Sequence, residues 1–186
     1  MEFSEQVRVV CGLYHKYWLV RGLIKNPNRD QNTGLMLDLK DSGERHHAQA
    51  VRHFGTAFAK DLASVFDRRA DIHLAIVPGH AVDSLSPGLQ SIVNNHIRTA
   101  FRVVNRINLL RRHVTVEKRS TGGSRSVESV LASVEVVGGT LAQGAHVVLL
   151  DDVMTTGGSL EGCTSLLYKA GASGVWPFAL LRTADE

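Results

Sequence analysis

The run Val147-Val148-Leu149-Leu150-Asp151-Asp152-Val153-Met154-Thr155-Thr156-Gly157-Gly158-Ser159-Leu160 constrains this chain more than any other. Its uninterrupted aliphatic start, entered from His146, reads as a central parallel strand buried on both faces. The strand breaks into the acidic pair Asp151-Asp152, as expected where a central strand reaches the rim of a sheet. A short loop of hydroxyl residues and glycines follows, and Gly158 to Ala170 then reads as a helix with Leu160, Cys163, Leu166 and Leu167 inward. Strand, tight turn and helix in this order are the start of a βαβ unit, so an α/β fold is expected.

The preceding sequence continues the pattern. From His47 to Phe66, Val51, Phe54, Gly55, Phe58, Leu62, Val65 and Phe66 recur at three- and four-residue steps, an amphipathic helix. Ile72 to Val77 reads as a buried strand stopped by Pro78-Gly79, and Ser86 to Ala100 as a helix with Leu89, Ile92, Val93 and Ile97 on one face. Phe101 to Val104 is expected to be the next strand. Arg111 to Glu128 has no period and contains Ser120-Thr121-Gly122-Gly123-Ser124, a mobile-loop composition. Val130 to Val137 resumes a strand pattern, and Val175 to Leu181 is a last strand whose Pro177 favours an edge or strand-start position. In the first 45 residues, Tyr17 to Lys25 and Leu35 to Lys40 flank a turn-rich stretch and are expected to pair as a hairpin. At 186 residues one domain is expected, 1–186, with a core over 46–182 and residues 1–45 as a small hood or appended N-terminal lobe.

Composition removes several classes. With 44% hydrophobic and 21% charged residues, a disordered tail or a coiled-coil rod is excluded. No apolar run is long enough to span a bilayer, and Met1-Glu2-Phe3-Ser4-Glu5 does not begin like a signal peptide, so no membrane partner and a cytoplasmic location are expected. Cys11 and Cys163 lack the spacing of a disulfide framework or a zinc ribbon and are expected to be reduced. His46 and His47 are adjacent, and His15, His53, His73, His96 and His113 have no ligand spacing, so a histidine-built metal site is not expected. Trp18 and Trp176 read as packing residues. Residues 98–125 carry eight Arg and Lys against one acid, Glu117, in a chain of formal net charge +3. That polarity suits an anionic ligand or a nucleic-acid backbone, and also an ordinary solvated face.

The acidic pair and its loop carry the chemistry. N–H groups of a short loop at a helix N-terminus, aided by Thr155, Thr156 and Ser159 hydroxyls, cradle a phosphate, while Gly157 and Gly158 allow close approach. Two carboxylates one short step away accept hydrogen bonds from sugar hydroxyls or attract a cation. A phosphorylated ribose satisfies both parts.

The stretch Asp151 to Ser159 resembles the phosphoribosyl pyrophosphate (PRPP) signature of type I phosphoribosyltransferases, an acidic pair followed two residues later by Thr-Thr-Gly-x-Ser/Thr. The resemblance covers roughly residues 47–182 and implies that family's mainly parallel sheet flanked by helices, with a hood over the base. It assigns Asp151 and Asp152 to the ribose 2′- and 3′-hydroxyls and Thr155, Thr156, Gly157, Gly158 and Ser159 to the 5′-phosphate. By the same likeness Pro78, Gly79, His80 and Ala81 correspond to the pyrophosphate loop, although an ordinary tight turn remains open there. Arg112, Thr115, Lys118 and Arg125 fall in the stretch of the mobile catalytic loop, with a solvated surface as the other reading. From about Leu110 onward the order looks most like the competence-protein F branch, which also has Gly-Ala-Ser-x-Val before its last strand, here Gly171-Ala172-Ser173-Gly174-Val175. That branch's Arg-Gly-Phe-Asn-Gln stretch and N-terminal cysteines are absent here.

The resemblance implies displacement at the anomeric carbon of PRPP by a nitrogen nucleophile, a nucleobase being expected, with release of pyrophosphate. Mg²⁺ near Asp151 and Asp152 is the implied cofactor and a homodimer the implied assembly. The alternative is a catalytically inactive module that senses PRPP or a nucleotide and acts on a nucleic-acid or protein partner. Nucleic acid is not favoured, because no separate DNA-reading element is evident.

Overall fold

A computed structural model describes residues 3–15, 18–20, 23–25, 30–116 and 126–184. In chain order its elements are α1 (Phe3–Gln6), β1 (Arg8–Val9), β2 (Leu13–Tyr14), β3 (Trp18–Val20), β4 (Leu23–Lys25), α2 (Gln31–Lys40) and α3 (His47–Leu62). There follow β5 (His73–Ile76), α4 (Pro87–Ile92), a π-helical turn (Val93–Ile97), α5 (Arg98–Ala100), β6 (Leu110–Arg112) and α6 (Val127–Ser133). The last four are β7 (Val134–Val136), β8 (His146–Met154), α7 (Gly158–Lys169) and β9 (Gly174–Thr183). Among the described residues no helix is long and apolar enough to cross a membrane.

The main sheet runs β1-β9-β8-β5, with β2 also on β9, and every pairing in it is parallel. Strands buried on both faces show a two-residue alternation between layers. Leu74 and Ile76, Val148 and Leu150, and Phe178 face the layer of α2, α3 and α4, against Met36, Leu39, Phe54, Phe58 and Leu89. Ala75 and Val77, Val147 and Leu149, and Val175 and Ala179 face the opposite layer, where α6 and α7 supply Val130, Leu160, Cys163 and Leu167. This is the expected α/β sandwich around a parallel sheet.

Several local expectations are corrected. The pairing of Tyr17–Lys25 with Leu35–Lys40 does not form: β3 and β4 pair with each other, and Leu35–Lys40 lies in α2. Asp30 caps that helix, its Oδ1 accepting the Thr33 N–H at 2.8 Å, and Leu35, Met36 and Leu39 make one buried helical stripe. The N-terminal segment therefore enters the core and, through β1 and β2, the sheet itself. Val130–Val137 is not one strand: Ser126 caps α6, which buries Val130 and Ser133 one turn apart, and only Val134–Val136 are extended. Phe101–Val104 contributes a single parallel bridge, Val103 to Ile72. Pro177 lies inside β9, one residue before the pairing with β1 begins at Phe178.

Beyond Val103 the open edge of β5 is completed by side chains. Asn105 Oδ1 accepts the Leu74 N–H at 2.8 Å and its Nδ2 donates to the Leu74 carbonyl at 2.8 Å. Asn108 repeats the arrangement at Ile76, at 2.7 and 2.9 Å. Two carboxamides thus reproduce the donor and acceptor pattern of a missing strand, and β5 is held in the sheet by both neighbours.

Candidate functional site

β8 does not stop at Leu150 as expected but continues to Met154, so the acidic pair lies within the strand. Strand alternation then separates the two carboxyl groups. Asp151 follows Leu149 toward the α7 layer, and Asp152 follows Leu150 toward α2. The alternation breaks directly afterwards, because Val153 packs in the layer of Leu150 and Met154 in the layer of Leu149.

On the α7 side, Asp151 is buried and its Oδ1 accepts the N–H of Asp152 at 2.9 Å. It lines a small pocket together with the run from Val153 to Leu160. Gly157 caps α7 at φ 85° and ψ −10°, a left-handed conformation that glycine adopts without a Cβ clash. The first N–H groups of any helix lack intrahelical acceptors, and here they open beside Thr155, Thr156 and Ser159. A buried carboxylate next to a helix N-terminus and three hydroxyls supplies acceptors for a sugar and donors for an anion in one pocket.

On the α2 side, Asp152 Oδ1 accepts the N–H of Val153 at 2.6 Å, and Oδ2 lies 3.2 Å from Lys40 Nζ. Lys40 is the last residue of α2, and its ammonium also sits 5.7 Å from the centroid of the Tyr14 ring. Sequence reasoning missed Lys40 and Tyr14. The only sequence cue was a basic residue where a helix C-terminus favours one, hidden by reading that stretch as a strand.

Pro78, Gly79, His80 and Ala81 follow β5, whose parallel partner β8 carries the acidic pair at the same end of the sheet. Val77 N–H donates to the Leu150 carbonyl at 2.9 Å, tying the two strand ends together. The loop is closed by Gly79 N–H donating to the Ser84 carbonyl at 2.8 Å, and a Cβ on Gly79 would stand 2.5 Å from Ser84 Oγ. Pro78 has no N–H and that of Gly79 is engaged, so His80 and Ala81 carry the remaining amides of the predicted quartet.

Arg112 is not on a mobile loop. It is 2% exposed on β6, with Nε donating to the Gly79 carbonyl and Nη1 to the Ser133 hydroxyl. Thr115 likewise braces this loop, its Oγ1 accepting the Val82 N–H at 3.2 Å, while Val116 N–H donates to the His80 carbonyl at 2.9 Å and Asp83 N–H to the Arg112 carbonyl at 3.1 Å. Lys118, Arg119 and Arg125 lie outside the described residues. Other members of the basic stretch are spoken for: Arg102 pairs with Asp71 at 2.7 Å, Arg111 with Glu135, and Arg98 donates to the Arg106 carbonyl.

Among the described residues no three His, Cys, Asp or Glu side chains converge as a metal cluster. The two acids face opposite layers and Asp152 Oδ2 is held by Lys40, so they form no joint chelate, and Mg²⁺ would fit here only with most of its ligands from water and a phosphate-bearing substrate, the usual manner for this hard cation. A cavity of about 310 Å³ on the outer side of β5 includes neither acid nor the 155–159 loop in its lining. Trp176 packs edge-on against Phe66 and His146, the packing role expected of it.

No family model matches the chain. Over 54 residues, 29% of its length, it is 44% identical to the adenine phosphoribosyltransferases of Clavibacter michiganensis subsp. michiganensis and Clavibacter sepedonicus. This likeness supports kinship with the type I phosphoribosyltransferases. The matched stretch spans 31% and 28% of the length of those two relatives.

Proposed function

We propose that the chain is a phosphoribosyltransferase that moves the 5-phosphoribosyl group of PRPP onto a ring nitrogen of a nucleobase and releases pyrophosphate. The observation that carries this reading is the buried Asp151 beside the Thr155–Ser159 loop at the N-terminus of α7. In this reading Asp151 and Asp152 accept hydrogen bonds from the ribose hydroxyls. Thr155, Thr156, Gly157, Gly158 and Ser159 bind the 5′-phosphate, and His80 and Ala81 offer amides to the leaving group, with Lys118 and Arg125 as its closing cations. The nitrogen lone pair forms the new bond to C1 of the ribose while the C1–O bond breaks, its electron pair leaving on pyrophosphate and the nitrogen's proton passing to solvent. Mg²⁺, when bound, neutralises charge on the departing pyrophosphate. The chain's own contribution is positioning and electrostatic stabilisation, with no covalent step. Likeness to the competence-protein F branch rests on the C-terminal order and is part of this proposal.

The test is ³¹P NMR of the protein with Mg²⁺ and PRPP, first alone and then with adenine, the base in the names of its two relatives, followed by a nucleobase pool. Pyrophosphate and a new 5′-monophosphate are expected to appear together. Turnover that survives the double change Asp151→Asn and Asp152→Asn would overturn the assignment.

A further inference from the structure

Lys40 joins the N-terminal segment to the acidic pair. Both oxygens of Asp152 are held, Oδ1 by the N–H of Val153 and Oδ2 by Lys40 at 3.2 Å. The lysine comes from a helix that is anchored by its packing and by hydrogen bonds to the preceding segment. Leu35, Met36 and Leu39 are buried in the core, Asn32 Nδ2 donates to the Cys11 carbonyl at 2.7 Å, and Thr33 Oγ1 accepts the His15 N–H at 3.1 Å. Tyr14, on the strand beside that helix, presents its ring to the ammonium. At 43% and 21% side-chain exposure the ion pair adds little to folding. Its effect falls on where Asp152 points and on how much negative charge the acidic pair presents.

We propose that Lys40 is a positioning residue of the phosphoribosyl site. It fixes the Asp152 carboxylate for the ribose hydroxyls and occupies the place that a directly bound divalent cation would otherwise take there. The first half of this proposal rests on the phosphoribosyltransferase reading; the second does not.

Calorimetric titration with PRPP and Mg²⁺ compares the unchanged chain with Lys40→Met, Lys40→Arg and Asp152→Asn, each checked by thermal melting. Lys40→Met is expected to weaken PRPP binding about five-fold at an unchanged melting temperature, and Lys40→Arg to stay within about two-fold of the unchanged chain. Equal affinity for Lys40→Met and the unchanged chain, or failure of the arginine to restore binding, would overturn the positioning role. If the unchanged chain binds no PRPP, the function proposed above fails, whatever Lys40 does. A separate arm titrates Mn²⁺ without PRPP and follows water-proton relaxation. Lys40→Met is expected to gain a weak site that Asp152→Asn abolishes in the same background, and absence of that gain would overturn the charge-occupying role.

Discussion

The carboxamide edge of β5 lends itself to a quantitative test. Asn108 makes two bonds to Ile76, at 2.7 and 2.9 Å, and Ile76 is buried. Asn108→Ala strands the Ile76 N–H and carbonyl and also takes the donor from the carbonyl of buried Leu110, to which Asn108 Nδ2 donates at 2.6 Å; a stranded buried polar group costs about 1–3 kcal/mol. The neighbouring 310 Å³ cavity, which Asn108 lines, lets water reach this edge. The expected loss is therefore about 3 kcal/mol, toward the low end for three groups. Asn108→Asp separates the strand-mimic argument from a packing argument. The aspartate keeps the acceptor for the Ile76 N–H but sets a second oxygen against the Ile76 carbonyl, so it is expected to be less stable than the alanine variant despite its closer shape. Urea unfolding followed by circular dichroism, with slopes compared to confirm a common two-state transition, reads both values. An aspartate variant as stable as the unchanged chain, or an alanine variant within about 0.5 kcal/mol of it, would refute the reasoning.

Gly157→Ala forces a Cβ into a left-handed φ of 85° and should cost about 1–2 kcal/mol in the same unfolding assay, with PRPP binding weakened alongside. Arg112→Met leaves the Gly79 carbonyl and the Ser133 hydroxyl without their donor and should destabilise by about 2–4 kcal/mol, and Arg112→Lys should not restore it because one ammonium cannot reproduce the guanidinium fork. Burial pushes the Cys11 thiol up to about 11. At pH 8 iodoacetamide should therefore modify the Cys11 peptide roughly a hundredfold more slowly in the folded chain than in urea, measured by mass spectrometry. Burial also lowers the His73 imidazole below its ordinary 6.5, outweighing Asp71 and the backbone of His146. The unfolded chain then binds the proton more readily, so His73 should subtract stability as pH falls from 6.5 toward its folded value, and His73→Gln should flatten that part of the stability profile.

The legibility of this chain follows the reach of its interactions. α3, α7, β5 and the start of β8 were visible because their apolar spacing is a local record of which face is buried, whereas the extension of β8 through Asp151 to Met154 carries no such apolar record. The turn from Thr155 to Ser159 was visible for the same reason, because its hydroxyl residues and glycines mark a strand-to-helix turn in the local sequence. Features that depend on distant partners were not visible. Asn105 and Asn108 have the composition of a loop, and their role exists only because β5 lies alongside with an open edge. Arg112 read as a basic loop residue, since nothing in the residues near it announces Gly79 and Ser133 as acceptors. α2 was misread because Asn26 to Gly34 looks like one turn, whereas Asp30 within it is a helix cap.

The placement of the acidic pair within β8 has a consequence for how such a site divides its work. Adjacent residues of a strand face opposite layers, so a dipeptide of acids within a strand gives one carboxylate to each side of the sheet. Asp151 shares its side with the loop and helix α7, which come from the same βαβ unit and are fixed by it. Asp152 shares its side with Lys40 and Tyr14, which come from the N-terminal segment. The surroundings of the two carboxyl groups are thus built by stretches of chain that fold against different layers, α7 packing with α6 and α2 with α3 and α4. A change at Lys40 is expected to alter the surroundings of Asp152 and to leave Gly157 in place. On the function proposed above, the loop that would bind phosphate and the partner of the second carboxylate belong to separate layers, and Lys40→Met is the change that tests whether they vary independently.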